Sequence, residues 1–143
     1  MTGDTGIRRV LVADDDPHLR DLLVLNLLAE GFEVHAFGDG REACRNAAVI
    51  QPDLIVLDVM MPEQDGLSAL RQIKADPQTA HVPIVLLTAR ASDAEVWEGW
   101  ESGADYYITK PFDIDELLHF VRYLQVEHAA SAAAAGSLDG YGA

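Results

Sequence analysis

The chain has 143 residues, 49% hydrophobic and 24% charged, the proportions of one globular domain with a well-formed core. A formal net charge of −14 argues against nonspecific grip on nucleic acid, which requires Lys and Arg on phosphates, and favours basic partners or a divalent cation. No apolar run approaches the roughly 20 residues that span a bilayer. The first nine residues lack a signal peptide's apolar core, and the single Cys44 excludes a disulfide framework, so no membrane partner and a cytoplasmic location are expected.

In chain order, Val10-Leu11-Val12-Ala13 reads as a buried strand that runs into Asp14-Asp15-Asp16. Pro17 opens a helix in which Leu19, Leu22, Leu23, Leu27 and Leu28 recur at helical spacing. Asp16 or a neighbour caps it, and Gly31 ends it. Glu33-Val34-His35-Ala36-Phe37 is a short alternating strand, followed by the turn Gly38-Asp39-Gly40 and a helix to about Ile50. Leu54-Ile55-Val56-Leu57-Asp58 is a strand buried on both faces that stops abruptly at a carboxylate. Residues 59–66 read as a loop, and Leu67, Leu70, Ile73 and Lys74 begin a third helix ended by Asp76-Pro77.

Pro83-Ile84-Val85-Leu86-Leu87-Thr88 is another buried strand, this time ending in a hydroxyl. A fourth helix over residues 93–102 closes on Gly103, and Tyr106-Tyr107-Ile108-Thr109 is a fifth strand that meets Lys110. Ile114, Leu117, Leu118, Val121 and Leu124 mark a fifth amphipathic helix. This alternation of strand and helix predicts an α/β fold, a parallel sheet with helices on both faces and right-handed crossovers. Residues 1–127 are expected to form this domain, and the Ala/Ser/Gly-rich residues 128–143 a flexible tail or the start of a linker.

In such a sheet the carboxyl ends of the strands share one edge, where ligands bind. Asp14, Asp15 and Asp16 from the first strand, Asp58 from the third, Thr88 from the fourth and Lys110 from the fifth therefore converge. Carboxylates brought this close repel one another unless a cation intervenes. Hard oxygen ligands with open positions suit Mg²⁺ better than a soft transition metal. A lysine and a hydroxyl beside a metal-bound aspartate are the parts of phosphoryl transfer onto a carboxylate.

These residues, with their strand ends, resemble the receiver domain of two-component response regulators. The resemblance runs from about Arg8 to Leu124 and is carried by Val12 to Pro17, Leu57 to Pro62 with Asp65-Gly66, Leu87 to Arg90, and Gly103-Ala104-Asp105 through Lys110-Pro111-Phe112. It implies a flavodoxin-like, CheY-like, doubly wound sheet of five strands in the order 2-1-3-4-5, flanked by five helices. It further implies that Asp58 is the phosphoacceptor, served by a sensor histidine kinase or phosphotransfer protein. Asp14, Asp15 and Asp58, with the backbone carbonyl of Met60, would hold Mg²⁺, and Lys110 would contact the phosphoryl oxygens. Thr88 and Tyr107 would form the switch, read out on the face made by the fourth helix, fifth strand and fifth helix. Activity would be limited to self-phosphorylation and self-dephosphorylation rather than enzymatic turnover.

Two departures stand out. Members that dimerise through that face carry basic residues where this chain has Val96 and Phe120, and a second acid where it has Tyr106; only Glu116, Asp105 and Arg122 keep the charge pattern. An ionic homodimer is thereby put in doubt; Trp97, with Val96 and Phe120, is expected to form an apolar patch on that face, for a homodimer or for a separate partner. Met60 and Arg90, which flank the site, lack a carboxylate or amide to orient water, so slow loss of the phosphoryl group is expected. Two other readings compete. A Mg²⁺-dependent aspartyl-phosphate phosphatase needs a second aspartate at the position of Met60, and a receiver reduced to protein binding would have lost one of Asp58, Thr88 or Lys110. Direct DNA binding by these residues is not expected.

Overall fold

The computed structural model of the chain describes residues 7–59, 66–88, 101, 103–110 and 112–125. Its strands are β1 (Arg9–Ala13), β2 (Glu33–Phe37), β3 (Leu54–Asp58), β4 (Ile84–Thr88) and β5 (Tyr106–Thr109). They form one sheet in the order β2-β1-β3-β4-β5, and the four pairings are all parallel. The helices are α1 (Pro17–Ala29), α2 (Gly40–Ile50), α3 (Gly66–Ala75) and a C-terminal helix over residues 114–125. Of the helix expected over 93–102, only residue 101 is described, and it is helical.

The two-sided burial of the central strands follows from their side chains. β3 and β4 are buried at every position, and β1 at all but Arg9. Successive side chains on a strand point to opposite faces. Leu11, Ala13, Ile55, Leu57, Ile84 and Leu86 accordingly join one apolar cluster, with Ala43 and Ala47 of α2 and Leu67, Leu70 and Ile73 of α3. Their neighbours Val10, Val12, Leu54, Val56, Val85 and Leu87 join the other, with Leu23 and Leu27 of α1 and Leu117, Leu118 and Val121 of the C-terminal helix. Each large aliphatic side chain so buried contributes roughly 1.5–3 kcal/mol of transfer free energy. β2 lies at the edge and is only partly covered, and its Glu33 lies 2.6 Å from His35 and 3.4 Å from Arg9.

Local chemistry sets the helix ends. Asp16 is the N-cap of α1, its carboxylate accepting from the backbone N–H of His18 at 2.9 Å and Leu19 at 3.4 Å, and Pro17 takes the first helical position. At the other end Gly31 adopts φ +97°, and the chain closes with Gly31 N–H to Leu28 O and Phe32 N–H to Leu27 O. That is a Schellman closure, and it places Phe32 and Leu27 in the same buried cluster. Asp39 caps α2 by accepting from Glu42 N–H at 2.7 Å. No helix among the described residues is long and apolar enough to cross a membrane.

Gly66 couples β3 to α3. Its N–H donates to Val59 O at 2.8 Å, and a Cβ built there would stand 2.2 Å from the carbonyl oxygen of Asp58 and 2.8 Å from Val59 Cα. Both obstacles are backbone, so relief requires moving the end of β3. Gly66→Ala is expected to destabilise the fold by about 3 kcal/mol, at the upper end of overpacking costs. Urea denaturation checks this, and a variant as stable as wild type would mean that the β3 end yields freely.

Candidate functional site at the carboxyl edge of the sheet

β1, β3, β4 and β5 run in parallel, so their last residues meet at one edge of the sheet. Asp14 follows β1 directly and is fully buried; Asp58 ends β3 at 3% exposure, and Thr88 ends β4 at 2%. Asp15 is exposed beside them. The Lys110 backbone N–H donates to Thr88 O at 2.6 Å, which holds the residue after β5 against the end of β4. From there the Lys110 ammonium donates to Asp14 Oδ2 at 3.1 Å and stands 3.3 Å from Asp58 Oδ1.

A buried carboxylate is costly unless paired and hydrogen-bonded. Asp14 meets that requirement on every side. Its Oδ1 accepts from Asp16 N–H at 2.9 Å, its Oδ2 from Lys110, and its own N–H donates to Phe37 O at 3.1 Å. Its carbonyl has no strand partner to complete, and accepts instead from Arg20 Nη1 at 2.9 Å. Gly38 leaves room for that guanidinium, since a Cβ there would lie 3.2 Å from Arg20 Nη1. The sequence reading missed Arg20 and Gly38. The available signal was a basic residue one turn into the helix that follows an acidic run, a position that could equally have faced solvent.

Burial works to lower the pKa of Lys110, but Asp58 and then Asp14 outweigh it, and the net direction is upward. The ammonium is therefore charged throughout the neutral range. Because its folded pKa is raised, the stability it contributes is fully present below the ordinary lysine value and is lost only as pH rises through the raised one. One oxygen each from Asp14, Asp15 and Asp58 lies within 4.8 Å of the others. One ammonium against three carboxylates leaves a surplus of negative charge on hard oxygen donors, a set that fits a hard divalent cation.

Thus Asp14, Asp15, Asp58, Thr88 and Lys110 stand at one edge, as the sequence reading expected. Tyr107 on β5 is partly buried and packs against the α2–α3 side of the core. Phe120 lies away from the carboxylates on the C-terminal helix, stacked on Tyr106 with ring centroids 4.4 Å apart. Met60, Arg90, Val96 and Trp97 lie outside the described residues. Asp16 serves as the helix cap rather than joining the cluster of three carboxylates.

Comparison with known proteins agrees with this edge. The model of the response regulator receiver domain matches residues 10–122. The DNA-binding response regulator MtrA of Mycolicibacterium smegmatis is 44% identical over 119 residues, which is 83% of this chain and 51% of that protein. The DNA-binding dual master transcriptional regulator RpaA of Synechocystis is 42% identical over 116 residues, covering 81% of this chain and 48% of that protein. The chain thus spans about half the length of these two relatives. Among solved structures, the receiver domain of the Pseudomonas aeruginosa sensor histidine kinase PA1611, with a magnesium ion coordinated in its active-site cleft, superposes with a TM-score of 0.75. It is 31% identical, over 82% of this chain and 96% of that one. The family match covers most of the sheet and its carboxyl edge, and the chain belongs to the response regulator receiver domain family.

Proposed function

We propose that Asp58 is the phosphoacceptor of a two-component phosphorelay. The observation that carries this reading is the burial of Asp58 at the end of an apolar strand, 3.3 Å from the Lys110 ammonium and within a cluster with Asp14 and Asp15. An aspartate so placed gains nothing from solvent and faces a ready counter-charge.

In the proposed reaction an Asp58 carboxylate oxygen attacks the phosphorus of a phosphohistidine on a sensor kinase or phosphotransfer protein. The new P–O bond forms as the P–N bond breaks, and the imidazole nitrogen leaves with the bonding pair and is protonated. Asp14, Asp15 and Asp58, with the Met60 carbonyl, would hold Mg²⁺, which when bound supplies positive charge to the phosphoryl oxygens. Lys110 shifts from its two carboxylates to the incoming oxygens. Asp14, fixed through its backbone by Arg20 and Phe37, keeps its place throughout. The phosphoryl group nearly doubles the negative charge at Asp58 and adds acceptor oxygens. Thr88 turns towards them, and Tyr107 moves into the space vacated, which carries the signal to β5 and the C-terminal helix. Output passes to an effector domain or a separate partner. The chemistry is self-phosphorylation and self-dephosphorylation.

The donor docks along α1, whose N-terminus lies beside the mouth of this site. Leu22, Leu25 and Leu28 of α1 are 45%, 66% and 50% exposed, and their three-residue spacing puts them along one side of the helix. Exposed leucines in a row mark an interaction surface, and this one suits the helical bundle of a kinase.

With acetyl phosphate and Mg²⁺, intact-mass analysis is expected to find one phosphoryl group on the wild type and none on Asp58→Asn. A phosphoryl group retained by Asp58→Asn would reassign the acceptor. In metal-free buffer, Asp58→Asn is expected to resist urea better than wild type by on the order of 1 kcal/mol, because it relieves repulsion with Asp14. Lower stability would show that the ion pair with Lys110 outweighs that repulsion. Mg²⁺ should raise the wild-type melting temperature through linkage, and Asp14→Asn should abolish most of that gain.

A further inference from the structure

Tyr106 on β5 and Phe120 on the C-terminal helix stack at 4.4 Å with their planes 8° apart, and Phe120 continues the row to Tyr123 at 6.3 Å. The rings floor an open trough of about 470 Å³, lined with Asp105, Glu116 and His119. Tyr123 is 55% exposed, far more than stacking in a closed core would leave. Glu116, His119, Phe120 and Tyr123 recur at helical spacing over two turns, so the trough runs along the helix for about 10 Å at 1.5 Å per residue. A second helix can lay the side chains of one face along such a length.

Charge decides what kind of helix. Neither Lys nor Arg is among the described lining residues. The nearby cations are committed elsewhere: Arg122 makes two 3.1 Å bonds to the Glu30 carboxylate, and Lys74 donates to Ala80 O at 3.2 Å and Val82 O at 2.8 Å. Asp105 Oδ2 accepts from the Ile84 N–H at 2.8 Å and lies 3.6 Å from the Lys74 ammonium, yet its side chain remains 43% exposed on the rim. Glu116 is exposed on the rim. A second copy of the chain would bring the same two acids onto the same rings, from a protein of net charge −14. Like charges facing one another disfavour that pairing.

We propose that this trough docks a cationic amphipathic helix of a partner protein, with leucine-like side chains on the three rings and Arg or Lys reaching Glu116 and Asp105. Guanidinium groups gain twice here, from the faces of Tyr and Phe and from the carboxylates on the rim. The proposal deepens the reading of this face as the output surface and rests on it for its biological setting. The trough and its two rim acids stand in the unphosphorylated chain, so docking is measured without a phosphoryl group as well as with one.

The probe is a synthetic helical peptide with one leucine face flanked by arginines. A scrambled peptide of the same composition and a Glu-for-Arg peptide serve as controls. Binding to the full chain is measured by calorimetry, and the site is mapped by amide chemical shifts. The Arg/Leu peptide is expected to perturb residues 105–106 and 116–123. Glu116→Lys and Tyr123→Ala, both exposed substitutions, should each weaken it about fivefold or more, and circular dichroism should report an unchanged fold. The Glu-for-Arg peptide should bind roughly tenfold more weakly or not at all. Equal binding of the scrambled peptide, perturbations confined to other faces, or indifference to both substitutions would overturn the proposal. So would a wild-type dimer in light scattering that Tyr123→Ala returns to monomer. Intact-mass analysis after acetyl phosphate is run on the same samples. Absent phosphorylation with intact peptide binding would count against the phosphorelay reading alone, and phosphorylation without trough binding against the docking proposal alone.

Discussion

The Lys110 ammonium held between Asp14 and Asp58 is the interaction on which the rest of the site depends. Asp14 and Asp58, both buried, stand 3.1 and 3.3 Å from this one cation, which offsets much of the cost of burying them. The arrangement is stable and still incomplete. Asp15 adds a third carboxylate to the cluster, so negative charge remains in surplus. Three carboxylates against one ammonium leave a formal surplus that a divalent cation would balance.

The sheet makes this possible by separating stability from chemistry. Alternate side chains of β1, β3 and β4 feed two apolar clusters, one under α2 and α3 and the other under α1 and the C-terminal helix. The strands are thereby fixed along their length, and the polar residues fall only where each strand ends. Two glycines permit close approaches: Gly66 lets α3 begin directly against the backbone carbonyl of Asp58, and Gly38 leaves space for the Arg20 guanidinium that reaches the carbonyl of Asp14. Neither glycine contributes chemistry. Gly66 fixes the end of β3, where Asp58 stands.

The cations that might have joined two copies of this chain are engaged within one. Arg122 is tied to Glu30 at the end of α1, and Lys74 donates to the carbonyls of Ala80 and Val82. The aromatic row of Tyr106, Phe120 and Tyr123 occupies the surface that those charges leave. Arg122 is held at high pKa first by its hydrogen bonds to Glu30, so it stays a fixed cation and part of the internal clamp.

Sequence alone determined the strand–helix alternation, the identity of the strand-terminal residues and the caps, because these depend on local periodicity and on the preferences of Asp, Pro and Gly. Asp16 before Pro17, and Gly31 after the last turn of α1, act as their types dictate. The convergence of Asp14, Asp58, Thr88 and Lys110 was legible too, since parallel strands place their ends on one edge whatever the intervening sequence. What only the tertiary structure decided was which partner each charged side chain takes. Arg20 reaching the Asp14 carbonyl, Arg122 reaching Glu30 and Tyr106 stacking on Phe120 join residues distant in sequence or facing in directions that periodicity leaves open. Long side chains on half-exposed faces have several partners of similar energy, and the packing of helix on sheet selects among them.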